Sequence, residues 1–402
     1  MTRPRIGFGA FISPLHPHGE NPTLQMWRDL ELVEWLDALG LDEAWVGEHH
    51  SGGWGTIGSP EVFLAAAAER TRHIRLGTGV TSLPYHHPFH VASRIVQLDH
   101  QTRGRVMLGV GAGSAPGDAH MLGIAPSEQR RMTTESLEAI LELLAGQEPV
   151  SRRTDWFTLR DARLQHRPYR PEGIEVAISS AASPHSMQLA GRHGLSPLSF
   201  ASPRPGGTAP DLARQWQYAE EAAAAAGRTV RREDWRLVVN VYVGSSREAA
   251  MEELREGAAA WMRGYFGDIV GLPVDALGIE PGREIEALVE SGAAIVGSPD
   301  EVADGIEQLH KSSGGFGKLL VTGADWASRE NAKRSFERLA RFVVPRFNGS
   351  LEGFEASREW VVENRAEFVT QAIGAFQKAF TDSGVAAPSI ALPGSASSGG
   401  SS

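Results

Sequence analysis

The sequence has no cysteine among its 402 residues. Disulfides, thiolate metal sites and cysteine nucleophiles are excluded together, and an intracellular setting fits that absence. Long apolar runs are missing too. No stretch approaches the roughly 18 to 20 apolar residues of a membrane span. The opening residues, Met1-Thr2-Arg3-Pro4-Arg5, lead into a short apolar strand and not into the apolar core of a signal peptide. Positive charge is in deficit: the formal net charge of -10 argues against nucleic acid or an anionic membrane as partner. Two catalytic signatures are also lacking. No nucleophile elbow of the form G-x-S-x-G is supplied by Gly111-Ala112-Gly113-Ser114. The glycine pairs Gly77/Gly79 and Gly109/Gly111 lack the third glycine of a dinucleotide fingerprint. No metal site is expected, because His49 and His50 are adjacent and cannot both face one ion from a strand, and His86 and His87 precede Pro88 in a loop.

What is present is a chain that is 41% hydrophobic, enough for a sizeable core. It is organised around Val46-Gly47-Glu48-His49-His50. There a short apolar strand gives way to a loop carrying an acid and two imidazoles, followed by the glycine-rich Ser51-Gly52-Gly53-Trp54-Gly55. Polar, titratable groups at a strand exit are where parallel α/β proteins place their chemistry, and histidine changes charge near neutral pH.

In chain order, strands are expected at residues 6–11, 43–46, 74–80, 105–109, 175–178, 195–200, 237–243 and 318–321, with helices between them. Several helices open on a cap-then-proline pair, such as Asn21-Pro22, Ser59-Pro60, Ser183-Pro184 and Ser298-Pro299. Strand–helix alternation continued to eight strands predicts an α/β protein of the (β/α)8 TIM-barrel type with loop insertions. An open doubly wound sheet is the less favoured architecture. Two excursions, residues 146–172, which read as a short hairpin, and 264–292, break the rhythm and are candidate lids. The expected domains are a barrel over 1–347, a C-terminal helical extension over 348–385, amphipathic and suited to packing on the barrel or on a partner subunit, and a disordered Gly/Ser-rich tail over 386–402.

Two further features suggest binding. The turn from Ser179 through Ser186 is crowded with hydroxyls and small residues. With Ser183 as cap and Pro184 in the first helical position it forms a helix N-terminus suited to phosphate. Glycines at 77, 79, 109, 111 and 113 strip side chains from two adjacent strand ends, either for tight packing or to admit a flat ring.

These elements together resemble the bacterial luciferase-like flavin-dependent monooxygenases. The resemblance runs from about Arg5 to Phe347. It rests on Gly47-Glu48-His49-His50, on Leu76-Gly77-Thr78-Gly79-Val80 with Leu83-Pro84 and His87-Pro88, on Leu98-Asp99 with Gly104-Arg105 and Leu108-Gly109-Val110-Gly111, and on the serine-rich turn. The segment from Gly314-Gly315-Phe316-Gly317 through Trp326-Ala327 to Pro345-Arg346-Phe347 is similar to the limonene monooxygenase branch.

The resemblance implies reduced FMN, supplied by a separate flavin reductase, bound at the barrel's C-terminal mouth. Its phosphate would lie at Ser180, Ser183 and the amides near His185. Its ring would lie against Thr78, Gly79, Val80 and Gly111, with a non-prolyl cis peptide at Gly79-Val80. His49 would be the catalytic histidine, working around the C4a-peroxide formed with O2, and His50 and Glu48 would support it. The substrate would be a small or medium apolar molecule of terpene, ketone or polyketide type, and the protein a cytoplasmic homodimer. Trp54, Tyr85, Phe200 and Trp326 are candidate apolar walls. One departure stands out: Gly111 and Ala112 occupy the positions of the family's reactive cysteine and phosphate-binding arginine, leaving His120 or Arg192 as possible substitutes. The alternatives are an F420-dependent hydride-transfer enzyme on the same fold, a flavin-binding accessory protein without turnover, and a purely structural barrel.

Overall fold

Apolar four- to eight-residue runs that end in glycine or a polar loop become strands. The computed structural model describes residues 4–181, 183–323 and 325–388. Its strands are β1 (Gly7–Ile12), β2 (Glu43–Val46), β3 (Arg75–Thr78), β4 (Val106–Gly111), β5 (Glu175–Ser180), β6 (Ser196–Phe200), β7 (Arg236–Val243) and β8 (Lys318–Gly323). Each pairs in parallel with the next in chain order, and β8 pairs with β1. The sheet is therefore a closed eight-stranded barrel, as expected.

Around it run α1 (Pro22–Ala38), α2 (Pro60–Arg70), α3 (Pro88–Thr102), α4 (Gln129–Ala145), α5 (Pro184–His193), α6 (Leu212–Ala225), α7 (Arg247–Ala259), α8 (Pro299–Ser313) and α9 (Arg329–Arg338). Proline stands in the first turn of α1, α2, α3, α5 and α8, where its missing N–H costs nothing. Ser298 and Glu301 close a full capping box on α8.

The strands' outward side chains and the helices' inner faces form the main core, with Ile12, Leu36, Leu64, Leu76 and Leu237 fully or almost fully buried. The barrel's inside is filled by Phe11, Trp45, Met107, Ala177, Leu198, Val238 and Leu320, with Phe200 against them. Trp45 is the bulk of that filling. A Cβ on Gly77 would lie 2.4 Å from its indole and one on Gly109 2.8 Å from it. The flat ring these two glycines admit is thus the protein's own. Below Trp45, Glu43 accepts its Nε1–H at 2.9 Å and is held bidentately by Arg236 at 2.7 and 2.8 Å.

The structure departs from the expected elements at the third strand and within the second excursion, and the first excursion is the short hairpin expected. The third strand, read as continuous over 74–80, stops at Thr78 and resumes as Thr81–Ser82, because the Gly79–Val80 peptide is cis and turns the chain out of the ladder. The first excursion is an antiparallel hairpin, Val150–Arg153 with Thr158–Ala162. It follows a helix and precedes a strand, so it starts at the barrel's N-terminal face. It then runs up the outside of α4, with Arg152 on Glu138 and Glu142 and Asp155 on Arg131. It lies on the flank, and its far end reaches the rim of the C-terminal mouth, where Phe157 stands 5.9 Å from His87. The second excursion contains a π-helical turn, Ala260–Ile269, a helix Glu284–Glu290, and an unexpected strand Ala294–Gly297 that pairs with the second half of β7.

The described chain divides into two compact units, with the boundary between Asn348 and Gly349. The second unit is α10 (Glu352–Asp382), a 31-residue helix with no buried residue, whose aromatics pair within it: Trp360 with Phe368 and Phe376 with Phe380. The tail expected over 386–402 lies outside the described residues from 389 onward. No described helix is long and apolar enough to cross a membrane.

Candidate active site

The exit of β2 carries Glu48, His49 and His50 to the barrel's C-terminal mouth. Glu48 is the hub. Its carboxylate, fully buried, accepts from the Ser82 amide at 2.6 Å, from His86 Nε2 at 2.6 Å and from His50 Nε2 at 3.0 Å. Burial alone would push this carboxyl up, but His86, the Ser82 amide and His50 outweigh it and hold it below the usual range. His86 is likewise opposed by burial and raised by Glu48, so the two form a buried ion pair.

His49 is different. Its amide donates to Ile57 O at 3.0 Å, and Gly55 sits so close that a Cβ there would lie 2.3 Å from the His49 Cβ. Burial lowers its pKa and prevails over Asp118 and Glu48, which favour the charged form. The imidazole is therefore neutral at pH 7. Asp118, on the short helix Pro116–Met121, is 1% exposed, accepts the His50 amide at 3.2 Å and takes the Ser51 hydroxyl. Tyr85 stands edge-on to His50, its hydroxyl pushed up to about 12 by burial, Asp118 and Glu48.

Around the mouth on the other side, the serine turn folds as read. Ser183 caps α5 by accepting from the His185 amide at 3.3 Å. Gln215 on α6 steadies the turn by donating to Ala181 O at 3.1 Å. Ser180 is 2% exposed, and its Oγ has no partner among the described residues. A buried hydroxyl without a partner among the described residues, beside the N-terminus of a helix, suits a phosphate oxygen. Gly111 lies between Val80 and Ser179, where a Cβ would meet Val80 Cγ2 at 2.7 Å and Ser179 Oγ at 2.6 Å. Thr78 behaves otherwise than a ligand would: its hydroxyl is taken up by β4, donating to Gly109 O at 2.8 Å and accepting Gly109 N–H at 2.9 Å. Only its backbone is left for a bound ring.

The expected apolar walls divide. Phe200 packs edge-on to Phe11 at 5.2 Å and belongs to the barrel filling. Trp54 and Trp326 belong to an aromatic ladder through the π-helical turn: Trp54 on Tyr265, Tyr265 on Phe266, Phe266 on Trp261, Trp261 on Trp326. This turn therefore spans from the loop after β2 to the loop after β8, over the mouth. Beside it, His16 bridges Asp325 at 2.5 Å and Asp29 at 3.0 Å; these two acids overcome burial and raise its pKa to about 9. His86, Asp118 and Tyr265 were not singled out as site residues from the sequence, because nothing local marks a loop histidine, a lone aspartate or a helical tyrosine as facing a strand exit 36 or more positions away.

A closed (β/α)8 barrel thus carries a carboxylate–imidazole cluster and the Ser183-capped terminus of α5 around one mouth. The chain belongs to the luciferase-like monooxygenase family, whose model matches residues 7–314. It is 58% identical over 362 residues, 89% of this chain and 97% of the relative, to the 4-hydroxyprotoasukamycin monooxygenase of Streptomyces nodosus subsp. asukaensis. It is 45% identical to the limonene 1,2-monooxygenase of Rhodococcus erythropolis, covering 86% of this chain and 88% of the relative. The structure of the oxygenating constituent of 3,6-diketocamphane monooxygenase from Pseudomonas putida, in complex with FMN, superposes with a TM-score of 0.71 at 27% identity, covering 85% of this chain and 98% of that one. An F420-dependent secondary alcohol dehydrogenase shares the fold, with a TM-score of 0.65 at 20% identity over 86% of this chain and 99% of that one.

Proposed function

We propose that the chain is the oxygenating component of a two-component system in the cytosol. It takes reduced FMN from a separate reductase, uses O2, and oxygenates a small or medium apolar molecule of terpene, ketone or polyketide type, working as a homodimer. The observation that carries this reading is the unpartnered, buried Ser180 Oγ beside the Ser183-capped terminus of α5, facing the same mouth as the Glu48 cluster. Its support from relatives is the 58% identity to a named monooxygenase over nearly the whole of both chains.

Ser180, Ser183 and the α5 amides at His185 would hold the phosphate, and Gly79, Val80 and Gly111 would lie along the ring. Reduced flavin, when bound, supplies the two electrons that let one oxygen atom enter product while the other leaves as water. The chain's own part is to place a proton and exclude solvent. The neutral His49 ring both donates through one nitrogen and accepts through the other, so it can hold a hydrogen bond to an oxygen atom and return a proton to it. Glu48 anchors His50 and His86 so that this wall keeps its shape, and the aromatic ladder from Trp54 to Trp326 makes the mouth dry.

The test is an anaerobic titration with reduced FMN and with reduced F420, followed by substrate and 18O-labelled O2. Tight binding of reduced FMN with one labelled oxygen in product supports the reading. Binding of F420 alone, with product free of label, replaces it by hydride transfer.

A further inference from the structure

The aromatic ladder over the mouth contains one hydroxyl, and the π-helical turn carries it. Of the ladder's side chains only Tyr265 bears an oxygen. Two glycines seat the turn on the loop after β2. A Cβ on Gly264 would lie 2.8 Å from Trp54 Cζ2, and one on Gly52 2.7 Å from Ile269 Cγ2. Gly52 also has a φ of +79°, in the left-handed region that favours glycine. Between these two contacts the Tyr265 ring packs on Trp54 at 5.8 Å and edge-on to Phe266 at 5.3 Å. A π-helical turn inserted in a helical run re-aims the side chains it carries, and such turns are frequent at functional sites.

Tyr265 is half-buried, and its hydroxyl has no partner among the described residues. Burial raises its pKa, Arg204 opposes this and Asp118 adds to it, so the phenol keeps its proton. Asp118 acts on the His49 ring as well, and it holds the His50 amide and the Ser51 hydroxyl. Tyr265 therefore stands over the side of the mouth where Glu48, His49 and His50 gather. The other phenol there, Tyr85, is placed differently, with its hydroxyl buried against Gly113. An apolar pocket with a single fixed polar group holds its ligand in one orientation. Resting on the reading of this mouth as an oxygenase site, we infer that Tyr265 is a specificity-determining residue: its hydroxyl donates to a carbonyl or hydroxyl oxygen already present on the substrate. The substrate is then an apolar molecule that bears such an oxygen, and not a plain hydrocarbon.

The experiment uses the full-length protein with reduced FMN, O2 and matched pairs of an alkene and an enone on the same carbon skeleton: limonene with carvone, and cyclooctene with 2-cyclooctenone. Wild type, Tyr265→Phe and Tyr85→Phe are compared, and thermal melts check that both variants keep the fold. The expected result is that wild type favours the enone of a pair by about tenfold in kcat/KM, the scale of one hydrogen bond. Tyr265→Phe, which keeps the ring on Trp54, removes that preference and leaves the alkene within about twofold. Equal use of both members by wild type, a preference that survives in Tyr265→Phe, or one that falls equally in Tyr85→Phe overturns the inference and leaves the oxygenase reading standing. So does oxygenation of no member while bound reduced FMN still reacts with O2. Absence of any reaction of bound reduced FMN with O2 overturns the oxygenase reading itself, and the role of Tyr265 with it.

Discussion

His49 is neutral although two carboxylates, Asp118 and Glu48, favour its charge, because burial outweighs both. That balance has a kinetic signature. If the neutral ring is the working form, kcat/KM falls only when His49 gains a proton, so the acid limb lies below the ordinary 6.5. A limb centred at or above 6.5 would exclude His49 as its origin. Replacing His49 with Ala is expected to abolish product while changing reduced-FMN affinity by no more than a few fold; unimpaired turnover removes it from the mechanism. The Glu48–His86 pair predicts a stability effect with a definite pH window. Glu48, depressed in the fold, contributes above its ordinary 4.5 and loses that contribution as pH falls through its lowered pKa. His86, raised in the fold, contributes fully below 6.5 and loses it as pH rises through its raised pKa. Glu48→Gln should therefore cost most between about pH 5 and 6, roughly 2–3 kcal/mol for a buried pair that loses one charge. Thermal melts of both proteins across pH 4 to 9 check it, and a difference flat in pH would contradict it.

At the scale of elements, the glycines of β3 and β4 make the sharpest prediction. A Cβ on Gly109 would sit 2.0 Å from Thr78 O as well as 2.8 Å from Trp45. Neither neighbour can move: one is backbone and the other fills the barrel. Gly109→Ala should cost at least about 2–3 kcal/mol by overpacking, read from a denaturant midpoint, and near-wild-type stability would mean that Trp45 has another place to go. The same glycines show what the sequence could and could not reveal. Eight strands were legible because each is an apolar run at a regular distance from a capped helix, and Ser183-Pro184 named its own helix start. The glycines were equally visible, yet Gly77 and Gly109 could not be assigned to cofactor or packing, since Trp45 lies 32 and 64 positions away and reaches them only once the barrel closes. Ala294–Gly297 was missed as a strand for a similar reason: four residues carry little periodicity, and β7 alone makes them a strand.

The barrel is tied across its floor by a buried ion-pair network. Glu43 on β2 and Arg236 on β7 stand on opposite walls, both 1% exposed, and Glu175 on β5 joins them at 2.7 Å. Arg236→Leu leaves buried Glu43 with only the Trp45 indole at 2.9 Å and Arg75 at 3.7 Å, and should destabilise the fold by about 3 kcal/mol. Pairing it with Glu43→Gln should recover much of that loss, because the uncompensated charge is then gone. Denaturant melts of the two single variants and the double variant decide it, and additive losses would show that the pair is uncoupled.

The π-helical turn Ala260–Ile269 makes the mouth's apolar cover sensitive to length and not only to side-chain identity. Its i→i+5 bonds, such as Val270 N–H to Tyr265 O at 2.9 Å, hold one more residue than an α-helical turn would. Deleting one residue would let the turn close to an α-helical one while the flanking segments keep their phase, so that the residues of the turn itself are re-aimed. Trp261 would then stay while Tyr265 and Phe266 left the ladder. A single-codon deletion here would thus re-aim the mouth's aromatic cover without touching Glu48, His49 or the α5 terminus.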